Sequence, residues 1–250
     1  MNALRAPFRL AAIALAALAL AVGAPGAQAI VVGGFPNVKP YAVVVREEGK
    51  PDRITGGLVV ELFDEVARRT GLEFAYSFPP RKRMDLEIAE GRLDIVGMAN
   101  PAWLAAPESM DWSPEVFGER MVFVSKAEFP RTIKGLAELG GLRVGMNTGY
   151  TYPEFGGALP FTRDDAATVP RNIERLSAGW IDVVYGGEFD VKSHLGSDAS
   201  RYRIHPWSPA SSTYQWAVAK RLGERGALVL RTIEAMVKDG TVARILAKYR

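Results

Sequence analysis

The sequence predicts an α/β protein built from two similar lobes, and three observations carry that reading. Residues 87–97 (Glu-Ile-Ala-Glu-Gly-Arg-Leu-Asp-Ile-Val-Gly) are echoed 88 positions later by 175–185 (Arg-Leu-Ser-Ala-Gly-Trp-Ile-Asp-Val-Val-Tyr). Each copy reads as a helix end, a glycine suited to the left-handed closing position (Gly91, Gly179), an aspartate (Asp94, Asp182) and a buried β-branched strand. Short apolar runs alternate with amphipathic stretches along the rest of the chain, and no clean linker separates two halves, which predicts that the chain crosses between the lobes more than once.

The elements follow in order. A strand is expected over 30–34, left by the aromatic loop 35–41, then a small hairpin over 42–57 turning at Gly49 to Pro51. Leu58, Leu62 and Val66, with Val59 and Phe63 between them, mark an amphipathic helix over 58–70 closed by Gly71. A strand over 72–78 leads to Pro79-Pro80, which opens a helix running to Gly91, and the first repeat strand follows. Further strands are expected over 120–125, 142–146, 202–205 and 214–219, a short helix over 133–139, and a loop at 147–151 entering another helix. A helix over 171–178 precedes the second repeat strand, and closing helices span 225–248 with a break at Asp239-Gly240. In open parallel sheets ligands gather beyond the carboxyl ends of the strands, so 98–101 and 186–188 become facing walls of one cleft.

The first 29 residues read as a cleaved secretory signal: Arg5 and Arg9, an apolar run of roughly 13 residues from Leu10, and Ala27-Gln-Ala29. A spanning helix needs about 20 apolar residues, and Gly23 and Pro25 end this run early. The mature chain is expected to start at Ile30. Losing two arginines takes the formal charge from +3 to +1, so no basic face is left for nucleic acid. Cysteine is absent, which excludes disulfides, thiolate metal sites, a cysteine nucleophile and a lipid-anchored cysteine. The two histidines, His194 and His205, lack metal-ligand spacing, and no nucleophile elbow or phosphate loop occurs. No cofactor or metal is expected.

Gly57-Leu-Val-Val-Glu-Leu-Phe-Asp-Glu-Val-Ala67, Glu90-Gly-Arg-Leu-Asp94, Met110-Asp-Trp-Ser113, Gly141-Leu-Arg-Val-Gly145 with Gly149 and Thr151, and the tail 239–249 stand in an order that resembles the family 3 extracellular solute-binding proteins. The resemblance covers essentially the whole mature chain. It implies a type II periplasmic-binding-protein-like clamshell, with the second lobe (121–212) inserted into the first (30–120 and 213–250) and hinges near 117–121 and 211–216. It also implies a monomer in the periplasm that captures a small polar or aromatic solute and delivers it to an ABC transporter permease. Two other roles on the same fold stay open: a dehydratase-like enzyme with Glu188 as general acid or base, and a transport-independent sensory or accessory binding protein.

The departures from the family bear on the ligand. The arginine that clamps an α-carboxylate falls on Ala106, and the acid that receives the α-amino group falls on Gly187, beside Glu188. Standard α-amino acids are therefore expected to bind poorly, since neither charge would be paired. In their place the sequence offers Arg83 in a Pro-x-x-Arg context, and Asn100 after the first repeat strand. Phe35, Tyr41, Trp103, Tyr150 and Tyr185 lie at predicted strand ends and can sandwich a planar or apolar body. The resemblance implies that Thr148, Gly149 and Thr151 hold the ligand's polar or anionic end through loop N–H groups and hydroxyls, helped by the dipole of the helix expected after them.

Overall fold

The computed structural model describes residues 29–49, 53–157 and 159–249 of the 250. The proposed signal sequence, apart from Ala29, and most of the turn expected at Gly49 to Pro51 lie outside the described residues. Among the described residues no helix is long and apolar enough to cross a membrane.

The chain begins with β1 (Ile30–Gly33), the antiparallel pair β2 (Val43–Val45) and β3 (Arg53–Gly56), α1 (Leu58–Thr70) and β4 (Phe74–Tyr76). It continues through α2 (Met84–Ala89), β5 (Ile95–Ala99), β6 (Met110–Trp112) and the long β7 (Phe117–Lys126). Then come β8 (Arg143–Asn147), β9 (Thr162–Ala166), α3 (Val169–Ser177), β10 (Val183–Gly187) and α4 (Glu188–Leu195). β11 (Tyr202–Ile204), β12 (Ser211–Ala219), α5 (Glu224–Lys238) and α6 (Thr241–Leu246) complete it.

The strand order β4-β1-β5-β12-β7-β10-β8-β9 is nearly a palindrome in roles. At one end β4, β1 and β5 run parallel and β12 is antiparallel to β5. At the other, β9, β8 and β10 run parallel and β7 is antiparallel to β10. Each lobe thus has the same four-strand plan, and β7 and β12 pair with each other in the middle, Phe117 to Arg120 opposite Tyr214 to Ser211. The lobe boundaries read from the sequence fall inside these two strands.

The sequence repeat has a structural cause. Gly91 (φ 74) and Gly179 (φ 76) close their helices in the left-handed region. The aspartate that follows ties its strand to that strand's parallel neighbour: Asp94 N donates to Val31 O at 2.8 Å while Asp94 Oδ2 accepts from Val31 N at 2.8 Å. Asp182 does the same with Arg143, at 2.9 Å and 2.7 Å. Burial of Leu58, Val59, Leu62, Phe63 and Val66 fixes α1 on lobe 1, where Phe63 stacks on Trp216 with ring centres 3.9 Å apart.

Four expectations are corrected. The strand expected over 72–78 is three residues long, and that over 120–125 is part of a ten-residue strand. The helix expected over 133–139 is a 3-10 turn at Leu136–Leu139. The loop 147–151 leads to no α-helix, only a 3-10 turn at Pro153–Phe155, because Gly156, Gly157 and Pro160 follow at once.

Candidate functional site

A cavity of about 370 Å³ lies where the lobes face each other, bounded by lobe 1, lobe 2 and both crossing strands. That size is within the usual range for small-molecule sites. Lobe 1 contributes Tyr41, Arg81, Asn100 and Trp103; lobe 2 contributes Asn147, Tyr150, Thr151, Gly187 and Asp190; the crossing strands contribute Glu119, Met121, Ser212 and Tyr214.

The residues nominated from the sequence separate into two groups. Tyr41, Asn100, Trp103, Tyr150 and Thr151 line this cavity. Phe35, Arg83, Thr148, Gly149, Tyr185 and Glu188 are placed elsewhere. Phe35 packs edge-on to Tyr76 and Phe78 in the lobe 1 core. Tyr185 is fully buried in the lobe 2 core and donates to Glu154 at 2.6 Å. Arg83 pairs with Glu87 at 2.7 Å one turn along its own segment. Glu188 is tied to Arg120 and Lys192, each at 3.0 Å, so the carboxylate considered for catalysis is committed to surface ion pairs. Gly149 touches lobe 1 at the mouth, where a β-carbon on it would stand 3.1 Å from Lys82 Cγ. Ala106 is exposed.

Arg81 takes the place expected for Arg83. Pro80 opens a 3-10 turn, Arg81–Arg83, before α2, and this shifts the phase by which side chains meet the cleft. Arg81 donates through Nη2 to the Trp103 carbonyl, and its Nη1 lies 3.6 Å from Asp85. Trp103 is thereby held over the cavity with its ring edge-on to Tyr214, centres 5.9 Å apart.

The loop expected to bind an anion is largely self-satisfied. Asn147 N donates to the Tyr152 hydroxyl at 3.0 Å, Thr148 N to Ala166 O at 2.9 Å, and Tyr150 N to Asn147 O at 3.2 Å. With three of the five N–H groups engaged and no helix behind them, the free donors and dipole that such a site needs are reduced. Of the three residues expected to hold an anion, Thr151 lines the cavity, and Thr148 and Gly149 do not.

The feature that sequence reasoning missed is Glu119. It is only 6 % exposed, the third residue of β7. Its Oε1 accepts from the hydroxyls of Tyr41 and Tyr214, both at 2.8 Å, and its Oε2 accepts from Phe189 N at 2.9 Å. Burial raises its pKa, opposed by these three donors, while neighbouring Asp190 pushes it further up. Burial and the Glu119 charge likewise drive Tyr41 and Tyr214 well above the ordinary phenol range, so both hydroxyls keep their protons and donate. Asp190, 4 % exposed, is a second buried carboxylate on the cavity, its pKa raised by burial and held back by His194. The Tyr150 pKa is raised by burial and by the negative charges of Asp190 and Glu119, opposed by Arg81.

By sequence the chain matches no family profile and no curated protein. Its fold does match solved structures. The amino acid ABC transporter substrate-binding protein AbpA of Streptococcus pneumoniae, bound to L-arginine, is 18% identical, with 88% of this chain and 93% of that one covered and a TM-score of 0.72. An ancestral arginine-binding protein bound to arginine gives 19% identity, 88% and 97% coverage and a TM-score of 0.72. The GluR0 ligand-binding core in complex with L-glutamate gives 13%, 90% and 99%, and 0.73. At such identities the likeness is one of fold: the chain is a two-lobed periplasmic-binding-protein-like α/β structure.

Proposed function

We propose that this protein captures a small solute between its lobes and delivers it to an ABC transporter, after export through a cleaved signal sequence. The observation that carries the reading is the cavity bounded by both lobes and by the paired strands that join them, in a fold shared with transporter substrate-binding proteins. Lobe 1 would comprise 30–120 and 213–250, and lobe 2 would comprise 121–212. Packed cores on either side of β7 and β12 favour movement of each lobe as a body.

Binding rather than catalysis is favoured because the carboxylate nominated for catalysis, Glu188, lies off the cavity, and Glu119, on it, is engaged in holding shape. Glu119 accepts three hydrogen bonds, and Glu188 is bound to cations at the surface. The site is incomplete in either lobe alone, so a solute must bring the lobes together to touch all of its walls.

The test is a thermal-shift screen of chemically varied solutes, followed by X-ray scattering with the strongest hit. The expected result is stabilisation without turnover and a smaller radius of gyration in the bound state. Identical scattering with and without a solute that calorimetry shows to bind would overturn the closure reading. Mass spectrometry of the exported protein should find Ile30 at its start.

A further inference from the structure

Resting on the solute-capture reading, we propose that the cleft selects an organic cation, an amine or guanidine without an adjacent carboxylate, and that Glu119 and Asp190 receive its charged nitrogen. Gly187 lies at the corner of the cleft where β10 meets α4. Its backbone (φ −64, ψ 139) suits any residue, so glycine is not required by conformation. Space requires it: a β-carbon there would lie 2.6 Å from the carboxylate atoms of Glu119. An acidic group stands at this corner of the cleft. It arrives from a crossing strand, β7, and occupies the room that a side chain at 187 would fill.

Asp190 adds an independent sign that something with N–H donors belongs here. Its side chain is buried, it lines the cavity, and Oδ1 has no hydrogen-bond donor. His194 Nδ1, 3.1 Å from this oxygen and 2.9 Å from the Asp190 carbonyl, has a single hydrogen to offer two acceptors, which leaves the carboxylate short of donors. Asn147 Oδ1, on the same cavity, is also buried without a donor. A buried acceptor left unpaired costs free energy. A ligand presenting several N–H groups removes that cost at both places and neutralises the two carboxylates.

The opposite charge finds little to hold it. Arg81 is engaged by the Trp103 carbonyl and lies near Asp85, and three of the five amides at 147–151 are already bonded. Tyr41, Trp103, Tyr150 and Tyr214 line the same cavity, and aromatic faces attract ammonium and guanidinium groups. Acceptors, negative charge and aromatic walls point to one chemistry.

The charged and titratable groups facing Asp190 are His194 on its own helix, Glu119 from β7, and the hydroxyls of Tyr41 and Tyr150; Lys39 in turn faces His194. A cation seated beside Asp190 disfavours both a protonated His194 and protonated carboxylates. Binding should therefore release protons, and affinity should fall on acidification.

The experiment is titration calorimetry of the mature chain with matched pairs differing only in a carboxylate: agmatine against arginine, and tyramine against tyrosine. The expected result is that at least one decarboxylated member binds tenfold or more tighter than its amino acid. Glu119→Gln and Asp190→Asn should each weaken it by tenfold or more, and enthalpies in buffers of different ionisation heat should report proton release. Both variants must melt cooperatively. Should Glu119→Gln fail to fold, Asp190→Asn decides the matter alone. Relocating the acid, in Glu119→Ala with Gly187→Asp, should recover part of the affinity lost in Glu119→Ala. Tighter binding of arginine or tyrosine than of its amine, or an unchanged affinity in the foldable carboxylate variants, overturns the proposal. If a neutral or anionic solute such as glucose or malate binds and closes the lobes while none of the four probes does, solute capture stands and the cation assignment falls. If nothing across all three charge classes binds, both fall.

Discussion

The two lobes share a strand plan and differ in what packs between the two parallel strands at the outer edge of each sheet. In lobe 1, β1 and β4 are bridged by the 13-residue α1, whose apolar stripe seals the sheet. In lobe 2, β8 and β9 are bridged by a loop with a single 3-10 turn, and aromatic side chains take over the volume. Phe155 meets Phe123, Phe161, Tyr152 and Tyr185 there, with ring centres 5.0–6.4 Å apart. A helix holds its own backbone and presents a fixed end to the cleft. A loop propped on aromatic rings holds its shape only through those contacts, so the lobe 2 wall of the cavity depends on side-chain packing more directly than the lobe 1 wall does.

The largest expected effect tests that dependence. Phe63→Ala in lobe 1 and Phe155→Ala in lobe 2 should each cost roughly 3–5 kcal/mol in chemical denaturation, the usual range for truncating a buried phenylalanine. Only Phe155→Ala should also weaken solute binding, because it removes the support behind Tyr150 and Thr151. Equal binding losses in both variants would break the contrast.

Acid should sharpen it next. His205 in lobe 2 is buried between Ile133 N, which donates to its Nδ1 at 3.1 Å, and Ser125 Oγ, 3.0 Å from Nε2. Burial, with Arg203 nearby, lowers its pKa to about 4. Below pH 6.5 the unfolded chain takes up a proton that the folded lobe refuses. Stability should then fall by roughly 2–3 kcal/mol as pH drops towards 4. His205→Asn keeps an acceptor without the titration, and should flatten that part of the pH profile in melting experiments.

The repeated aspartates allow a matched comparison. Asp94 and Asp182 make the same backbone contacts, but their side chains are 15% and 32% exposed. Asp94 binds the Arg221 guanidinium at 2.9 Å, and Asp182 meets that of Arg143 at a longer 3.4 Å. Loss of a charged hydrogen bond costs about 1.5–3 kcal/mol. Asp94→Ala should fall in that range and Asp182→Ala nearer its lower end, as measured by urea midpoints. Smallest of all, Gly91→Ala and Gly179→Ala should cost about 1 kcal/mol each and by equal amounts, since both glycines have positive φ. A clear inequality there would show that the two joints are less alike than their hydrogen bonds suggest.

Much of this frame was legible because it rests on local rules. The glycine-closed helices, the amphipathic stripe of α1 and the aspartate repeat are written in residue spacing, and the structure keeps them. The candidate site was legible only in part. Trp103, Tyr41 and Tyr150 reach the cavity because they leave strand ends that face it, whereas Phe35 and Tyr185, at similar ends, turn into the cores. Arg83 and Arg81 differ by a phase that one 3-10 turn decides. Asp190 was hidden because α4 lacks a strong apolar period. Glu119 did leave a signal: along β7 it shares the parity of buried Phe117, while exposed Arg120 has the opposite one. A carboxylate on the inward phase of an apolar strand is costly unless something pairs with it, and the partners, Tyr41 and Tyr214, lie 78 and 95 residues away in the chain.

The pairing of β7 with β12 has a mechanical consequence. Two hydrogen-bonded strands form a ribbon that resists stretching and splaying but yields readily to torsion, and two-stranded ribbons twist more freely than wide sheets. A change of angle between the halves can then be taken up as added or released twist spread over several residues. No backbone amide has to lose its partner along the way. Such a joint behaves as a torsion spring rather than a pin: its travel is limited, its resting angle is set by strand sterics, and whatever sits in the cavity works against a soft restoring force.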